Sequence, residues 1–499
     1  MASFIGVVSA STFFLESDNE SLIETLYQNL RYDEPEFQKN PYSKWDGSVR
    51  MFKKENGTFP SGLLHKVLIE CRDFGEQYEL DPIIKTFVRD IKQEDIQAWV
   101  DKLPLTNNDG EPIQAYDYQV RGLYLSILHT RYLAKAATSA GKSLLQYLLC
   151  RFWRDMYADE GKILIVVPTL QLTHQLYADF CDYSSTDPDF DAEALVHVAG
   201  DGVSPLSRKR IVICTWQTLV KQSREFFHSF NFLMGDEAHT FSSESLKYIA
   251  ENCINAYQRI GLTGTIKEDE GHKLRVIQHF GSIQTLITSK ELRDRGLATQ
   301  TKVHILKVEY DSTTKKMFFE DRDYKKEMQY LCEHPWRNKL ITNLGFALEG
   351  NSLFLFEKVD GHLMLVRDQM IAAGLQPYII HGDVPSHERE EIKQKIERGE
   401  NIILLATYGT TSTGISIKKL HNLIFCGPTK SFIRVVQSIG RMLRLHSSKD
   451  ISNIYDIVDM AKYSGRPNKA MEWAAERIEI YASEQHETKI ISLKAPTLT

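Results

Sequence analysis

Twelve short apolar runs, rich in Ile, Val and Leu and separated by longer stretches with helical spacing, constrain this chain more than any other feature. Six lie at 132–136, 163–167, 196–198, 211–214, 232–234 and 259–262. Six more lie at 303–308, 353–356, 378–380, 402–406, 423–426 and 454–458. Several are nearly continuous rather than alternating. Strands of that composition are buried on both faces, as in a parallel sheet covered by helices. The expected fold class is therefore α/β, with two parallel-sheet domains in tandem at 112–286 and 300–485. Each is long enough to bury a core of its own.

Residues 1–104 read differently, as a small α+β domain. Turn signals at Asp46-Gly47, Asn56-Gly57 and Pro60-Ser61-Gly62 separate short strand-like pieces there. Two prolines and Asn107-Asn108-Asp109-Gly110 make 103–112 a linker, and the residues from about 485 are expected to form a loose tail. Hydrophobic residues make up 42% and charged residues 25%, an ordinary globular balance that excludes disorder and fibrous architectures. No apolar run is long enough to span a bilayer, and the acid-broken N-terminus lacks the basic start of a secretory signal. The seven cysteines are scattered, with no CxxC and no zinc spacing, which fits reduced thiols in a cytoplasmic protein. Residues 1–104 carry 12 basic and 18 acidic side chains, so they account for the whole net charge of −6. Global charge gives no support to a nucleic-acid partner, which has to be argued from local sites.

The first such site is Ala136-Ala137-Thr138-Ser139-Ala140-Gly141-Lys142-Ser143, between an expected strand and an apolar helix. Small residues at Thr138, Ser139, Ala140 and Gly141 let backbone N–H groups close around phosphate oxygens, and a helix N-terminus adds partial positive charge. Lys142 can reach the β- and γ-phosphates, and the Ser143 hydroxyl can hold Mg²⁺. Ala136 stands where a P-loop usually has its first glycine. About 95 residues on, the apolar run 232–234 leads into Gly235-Asp236-Glu237-Ala238-His239. At the end of a strand, Asp236 can bind Mg²⁺ and Glu237 can polarise an attacking water. A lone acidic pair is commonly a solvated turn; one that follows a P-loop in the same unit is not.

These two motifs and the second α/β unit together resemble a superfamily 2 helicase. The resemblance covers about residues 112–460. It implies two RecA-like domains, with ATP and Mg²⁺ as cofactors. It assigns Gln119 to adenine, and Pro168 and Thr169 with Thr215, Trp216 and Gln217 to a nucleic-acid backbone. Gly261-Leu262-Thr263-Gly264-Thr265 corresponds to the segment linking the two sites, through hydroxyls that bond the acidic pair. In the second unit, His381 and Thr407 are expected at nucleic acid and Gly414 at nucleotide; Ser416 stands where members often carry Asp. Gln437-Ser438-Ile439-Gly440-Arg441-Met442-Leu443-Arg444 matches the last motif, with Gln437, Arg441 and Arg444 on one helix face. The arginines are expected to stabilise γ-phosphate charge.

Between residues 43 and 66 there are five basic and two acidic side chains among aromatics, with Trp45, Arg50, Lys53 and Lys54 at the centre. Such interleaving suits nucleic acid: cations for phosphate, rings for bases. An ordinary hairpin with a solvated basic edge fits equally well. The pattern Tyr42-x-x-Trp45-Asp46-Gly47-x-Val49-Arg50, followed by Pro60-Ser61-Gly62-Leu63, is similar to the N-terminal domain of the phage UvsW helicases, which extends the likeness over nearly the whole chain. It implies a monomeric DNA motor in the cytoplasm of an infected bacterium. Its partners would be branched, single- and double-stranded DNA, and RNA within R-loops. An RNA helicase, an ATP-gated annealing clamp and a restriction-complex motor remain open as alternatives.

Overall fold

The structure, a computed structural model, describes residues 2–34, 45–85, 90–157, 161–267, 269–320, 324–412, 417–429, 438–440, 445–463 and 465–496. The chain divides into two compact units, Met1–Ala136 with Ala140–Ile287, and Ala137–Ser139 with Thr288–Thr499.

The first unit is built on a seven-stranded sheet. Its spatial order is Ile283–Ile287, Arg131–Ala136, Gln258–Thr263, Phe232–Gly235, Ile163–Val167, Ile211–Thr215 and Val196–Ala199. Every pairing is parallel. The central strands Ile163–Val167 and Ile211–Thr215 are buried at every position, as continuous apolar runs require. All six expected strands are present. The seventh, Ile283–Ile287, is an edge strand with Gln284 and Thr285 exposed, so its sequence carries little apolar signal.

The N-terminal region is α+β: a mixed sheet in the order Thr58–Pro60, Thr12–Glu16, Ser3–Ser9, Tyr78–Leu80, with a separate pair Arg31–Asp33 and Ser48–Arg50. It is fused to the first unit rather than tethered to it. One continuous core runs from Ile5, Phe13, Phe59 and Leu63 to Leu133, Leu164 and Phe280. The Ala10 N–H donates to Ile254 O at 2.9 Å, and the buried Arg131 guanidinium donates to Ala10 O at 2.8 Å. Gly62 abuts helix Glu270–Phe280 so closely that an added Cβ would lie 2.2 Å from Ile277 O. The stretch expected as a linker is also docked: Leu105 is buried and the Thr106 hydroxyl donates to Asp182 O.

The second unit has a seven-stranded sheet in the order Tyr378–Ile380, Ile403–Thr407, Ser352–Phe356, Asn422–Phe425, Ile451–Met460, Gln300–Glu309, Glu487–Lys494, again parallel throughout. Its six expected strands are all present. The expected loose tail is a correction: Glu487–Lys494 is a strand, in register with Gln300–Glu309 from Lys302↔Glu487 to Glu309↔Lys494. Only Ile491 and Leu493 are even partly buried on it, so backbone pairing rather than apolar burial defines it. Two buried ion pairs brace strand Ile451–Met460 from within. Arg337 bonds Asp459 at 2.9 Å, and Arg477 bonds both oxygens of Asp456 at 2.9 Å. Tyr310 and Tyr481 donate to the same carboxylates, so the charges are multiply satisfied. Among the described residues no helix is long and apolar enough to cross a membrane.

Candidate active site

Parallel strands end at a common edge. In the first unit Thr263 is in register with Lys135, Gly235 with Val166, and Val167 with Thr215. The loops holding 137–141, 168–169, 236–237 and 264–265, and the short helix that starts at Trp216, therefore all leave the carboxyl edge, where open α/β sheets bind ligands.

The phosphate loop turns through two left-handed residues, Ser139 at φ 71° and Gly141 at φ 70°. Ser139 is strained there, whereas Gly141 has a second reason to be glycine. An added Cβ would sit 2.4 Å from the Gln119 amide nitrogen. That amide donates to Ala140 O at 3.2 Å and Gly141 O at 3.1 Å, and its oxygen accepts from the Tyr116 N–H at 2.8 Å. Gln119 thus works here as a buried strut between the loop and the start of helix Asp117–His129. The loop opens helix Lys142–Tyr157, and a helix N-terminus is a natural position for an anion. The Lys142 ammonium donates to Ala136 O at 3.4 Å. The Ser143 hydroxyl bonds the Tyr183 hydroxyl at 2.9 Å.

Asp236 follows strand Phe232–Gly235, and its N–H donates to Val166 O at 2.9 Å. Gln146, one turn beyond Ser143, donates to the Asp236 carboxylate at 3.2 Å. Burial, reinforced by the neighbouring Glu237 charge and opposed by Lys142, pushes the Asp236 carboxyl up to about 7. Glu237 adopts a left-handed backbone at φ 46° and ψ 52°, an arrangement concentrated at functional sites. Its carboxylate lies 3.3 Å from Nδ1 of the buried His239, which is 2.9 Å from the Thr263 hydroxyl. That hydroxyl donates its single proton to Thr265 O at 2.7 Å, so His239 Nδ1 must carry the hydrogen. His239 Nδ1 thus stands between the Glu237 carboxylate and the Thr263 hydroxyl, within reach of both.

The donor set fits Mg²⁺. Ser143 and Asp236 offer hard oxygens, and among the described residues no cluster of three or more His, Cys, Asp or Glu could cage a metal alone. Mg²⁺ is commonly held by one or two protein oxygens plus phosphate and water. The Asp236 carboxyl is raised first by burial and then by the Glu237 charge, and a dication would favour its ionised form against both.

Around the same edge, Thr169 caps helix Leu170–Tyr183, its hydroxyl accepting from the Leu172 N–H at 3.4 Å. Thr215 is buried and its hydroxyl donates to that of Thr218 at 3.2 Å. Exposed Gln217 donates to Pro168 O at 3.4 Å, joining the two segments, whereas Trp216 packs against the core. In the second unit His381 and Thr407 end neighbouring strands, with Ile380 in register with Ala406. His381 Nδ1 lies 3.4 Å from the Asp383 carboxylate, and the Thr407 hydroxyl bonds that of Thr410 at 3.0 Å. The N-terminal cations are largely committed. Arg50 pairs with Asp46 and lies 4.7 Å over the Tyr27 ring, while Lys54 pairs with Glu24 and lies 4.0 Å over the same ring. Lys53 is exposed, and Trp45 is 46% exposed. Gly414, Ser416, Gln437, Arg441 and Arg444 lie outside the described residues. Sequence reasoning missed Tyr183 and Gln146; only the position of Gln146 four residues beyond Lys142 on one helix face hinted at either.

Residues 88–268 match the family described as type III restriction enzyme, res subunit, and residues 338–446 match the helicase conserved C-terminal domain. The ATP-dependent DNA helicase UvsW of Enterobacteria phage T4 is 31% identical over 487 residues, covering 93% of this chain and 94% of the relative. A crystal structure of T4 UvsW matches with a TM-score of 0.52 at 27% identity, covering 99% of this chain and all of the other. The type ISP restriction-modification enzyme LlaBIII, bound to DNA, shares the fold at 16% identity and a TM-score of 0.58, over 78% of this chain and 32% of that one. With its phosphate loop and acidic pair at one sheet edge and this likeness along nearly its whole length, the chain belongs to the UvsW-related superfamily 2 helicases, enzymes that hydrolyse ATP and bind nucleic acid.

Proposed function

We propose that this helicase is a DNA motor that remodels branched intermediates: it regresses forks, migrates four-way junctions, unwinds R-loops and anneals strands during phage recombination, repair and replication. The observation that supports this most is the carboxyl edge of the first sheet. It gathers Lys142, Ser143, Asp236 and Glu237 beside the Pro168–Gln217 contact, and His239 ties Glu237 to Thr263. Lys142 and the loop amides bind the β- and γ-phosphates. Ser143 and Asp236 would hold Mg²⁺, which would supply neutralising charge at the phosphates. Glu237 orients and deprotonates the attacking water, and the His239 N–H holds its carboxylate. Arg441 and Arg444 are assigned to the γ-phosphate from the sequence motif alone. Thr169 and Gln217 contact the sugar-phosphate backbone, which positions a strand without reading its sequence. The protein acts as a monomer in the cytoplasm of the infected host.

The test is ATP turnover and unwinding on single strands, forks, four-way junctions and R-loops in parallel. Strongest activity on branched DNA is expected. Preferential stimulation by RNA of matched sequence would overturn the DNA assignment. ATP-dependent binding without strand displacement would instead reveal a clamp.

A further inference from the structure

The Ser143 oxygen carries one proton, and its lone pairs are what a cation would ligate. Where the proton goes therefore decides whether those lone pairs are free. In this structure the hydroxyl is 2.9 Å from the hydroxyl of Tyr183, the last residue of helix Leu170–Tyr183, which reaches the phosphate loop from outside its own helix. The Tyr183 ring is fixed against Tyr147, with centroids 5.7 Å apart, and Tyr147 is completely buried on helix Lys142–Tyr157. Tyr183 thus packs against the very helix that carries Ser143, one turn further on.

We propose that Tyr183 is a positioning residue for the nucleotide-bound cation: it accepts the Ser143 proton and thereby turns the Ser143 lone pairs toward Mg²⁺. The inference rests on the nucleotide-site reading above. Partners of this kind, which orient a ligand without touching the metal, commonly change metal affinity about tenfold or more when removed. Tyr183→Phe keeps the ring and its packing on Tyr147 and deletes only the acceptor. Ser143 is then left to spend its proton elsewhere, and its lone pairs lose their fixed direction.

The experiment measures ADP affinity by calorimetry, once with Mg²⁺ and once with EDTA, for wild type, Tyr183→Phe, Ser143→Ala and the double variant. Thermal unfolding of each is followed alongside. The expected result is a Mg²⁺-dependent gain in wild type that falls about tenfold in Tyr183→Phe, with the EDTA affinity and the unfolding midpoint unchanged. The double variant should match Ser143→Ala, because without the serine hydroxyl Tyr183 has nothing to orient. An undiminished Mg²⁺ gain in Tyr183→Phe would overturn the inference. So would an equal loss in Mg²⁺ and EDTA, which marks a purely structural tyrosine. No Mg²⁺ gain in wild type would overturn the nucleotide-site reading itself, and this inference with it.

Discussion

Asp236 should be a stability liability in the nucleotide-free enzyme. Its carboxyl sits at about 7 in the fold, against an ordinary value of 3.8, because burial and the Glu237 charge both penalise ionisation. The folded protein therefore keeps a proton that the unfolded chain has already released between about pH 4 and 7. Stability contributed by this group falls as pH rises through that window and levels off above it. The gap corresponds to a ceiling of about 4 kcal/mol. Asp236 as a residue is only partly buried and shares its ionisation with Glu237, so about 1–2 kcal/mol is the expectation.

Asp236→Asn removes the ionisation and keeps an oxygen to accept from Gln146. Its advantage over wild type should grow from about pH 4 to pH 7 and then stay constant. The assay is urea unfolding at pH 5, 6, 7 and 8 without nucleotide, following the transition that shifts when ADP is added and so belongs to the nucleotide-binding unit. The same variant should lose the Mg²⁺-dependent part of its ADP affinity. A stability difference that ignores pH, or an Asp236→Asn protein less stable than wild type at pH 8, would refute the argument that burying an ionised Asp236 beside Glu237 destabilises this site.

Glu237→Gln should cut kcat for ATP by at least about a hundredfold while Mg²⁺·ADP affinity is retained, as expected if the carboxylate is the base. Steady-state turnover beside calorimetry checks it. Thr263→Ala removes one of the two acceptors around the His239 Nδ1–H, leaving Glu237, and removes the donor to Thr265 O in a dry site, so unfolding should show a loss of about 1–3 kcal/mol, and turnover should fall with ADP affinity preserved. Thr263→Ser should recover both. Gly62→Ala drives a methyl into the Ile277 and Gln278 carbonyls, where helix Glu270–Phe280 must shift, at about 1–3 kcal/mol; denaturant unfolding against wild type measures it.

How much was legible in the sequence depended on whether the signal was local. Strands such as Ile163–Val167 announce themselves because every residue is apolar and every residue is buried. Ile283–Ile287 and Glu487–Lys494 do not, since edge strands need only backbone partners on one side, and positions such as Gln284, Thr285, Thr488 and Lys489 face water. The phosphate loop and the acidic pair were readable because each is contiguous. Their supports were not: Tyr183 meets Ser143 across 40 residues, and Gln146 meets Asp236 across 90. Gln119 was found from its place before the phosphate loop, yet its hydrogen bonds to the loop carbonyls belong to the fold alone. The basic stretch around Arg50 shows the limit of composition. Composition counts its cations but does not reveal that Glu24, on helix Glu20–Asn29, lies ready to neutralise one of them.

The same docking changes what can be asked of the N-terminal region. Its strands share a core with the first parallel sheet, and Arg131, the residue that starts the strand leading into the phosphate loop, is bonded through its guanidinium to Ala10 O. Removing residues 1–104 would strip buried Phe13, Phe59 and Leu63 from that core and leave the Arg131 cation without this carbonyl, a change that destabilises the nucleotide site whatever the region does with DNA. A truncation that loses fork activity would therefore say nothing about DNA contact. Exposed Trp45 and Lys53 are the informative positions, because they can be replaced without opening the core: if Trp45→Ala with Lys53→Ala leaves ATP turnover and unfolding untouched yet weakens binding to forks, the region grips DNA, and if fork binding is unchanged, its contribution is to hold the motor's first sheet in shape.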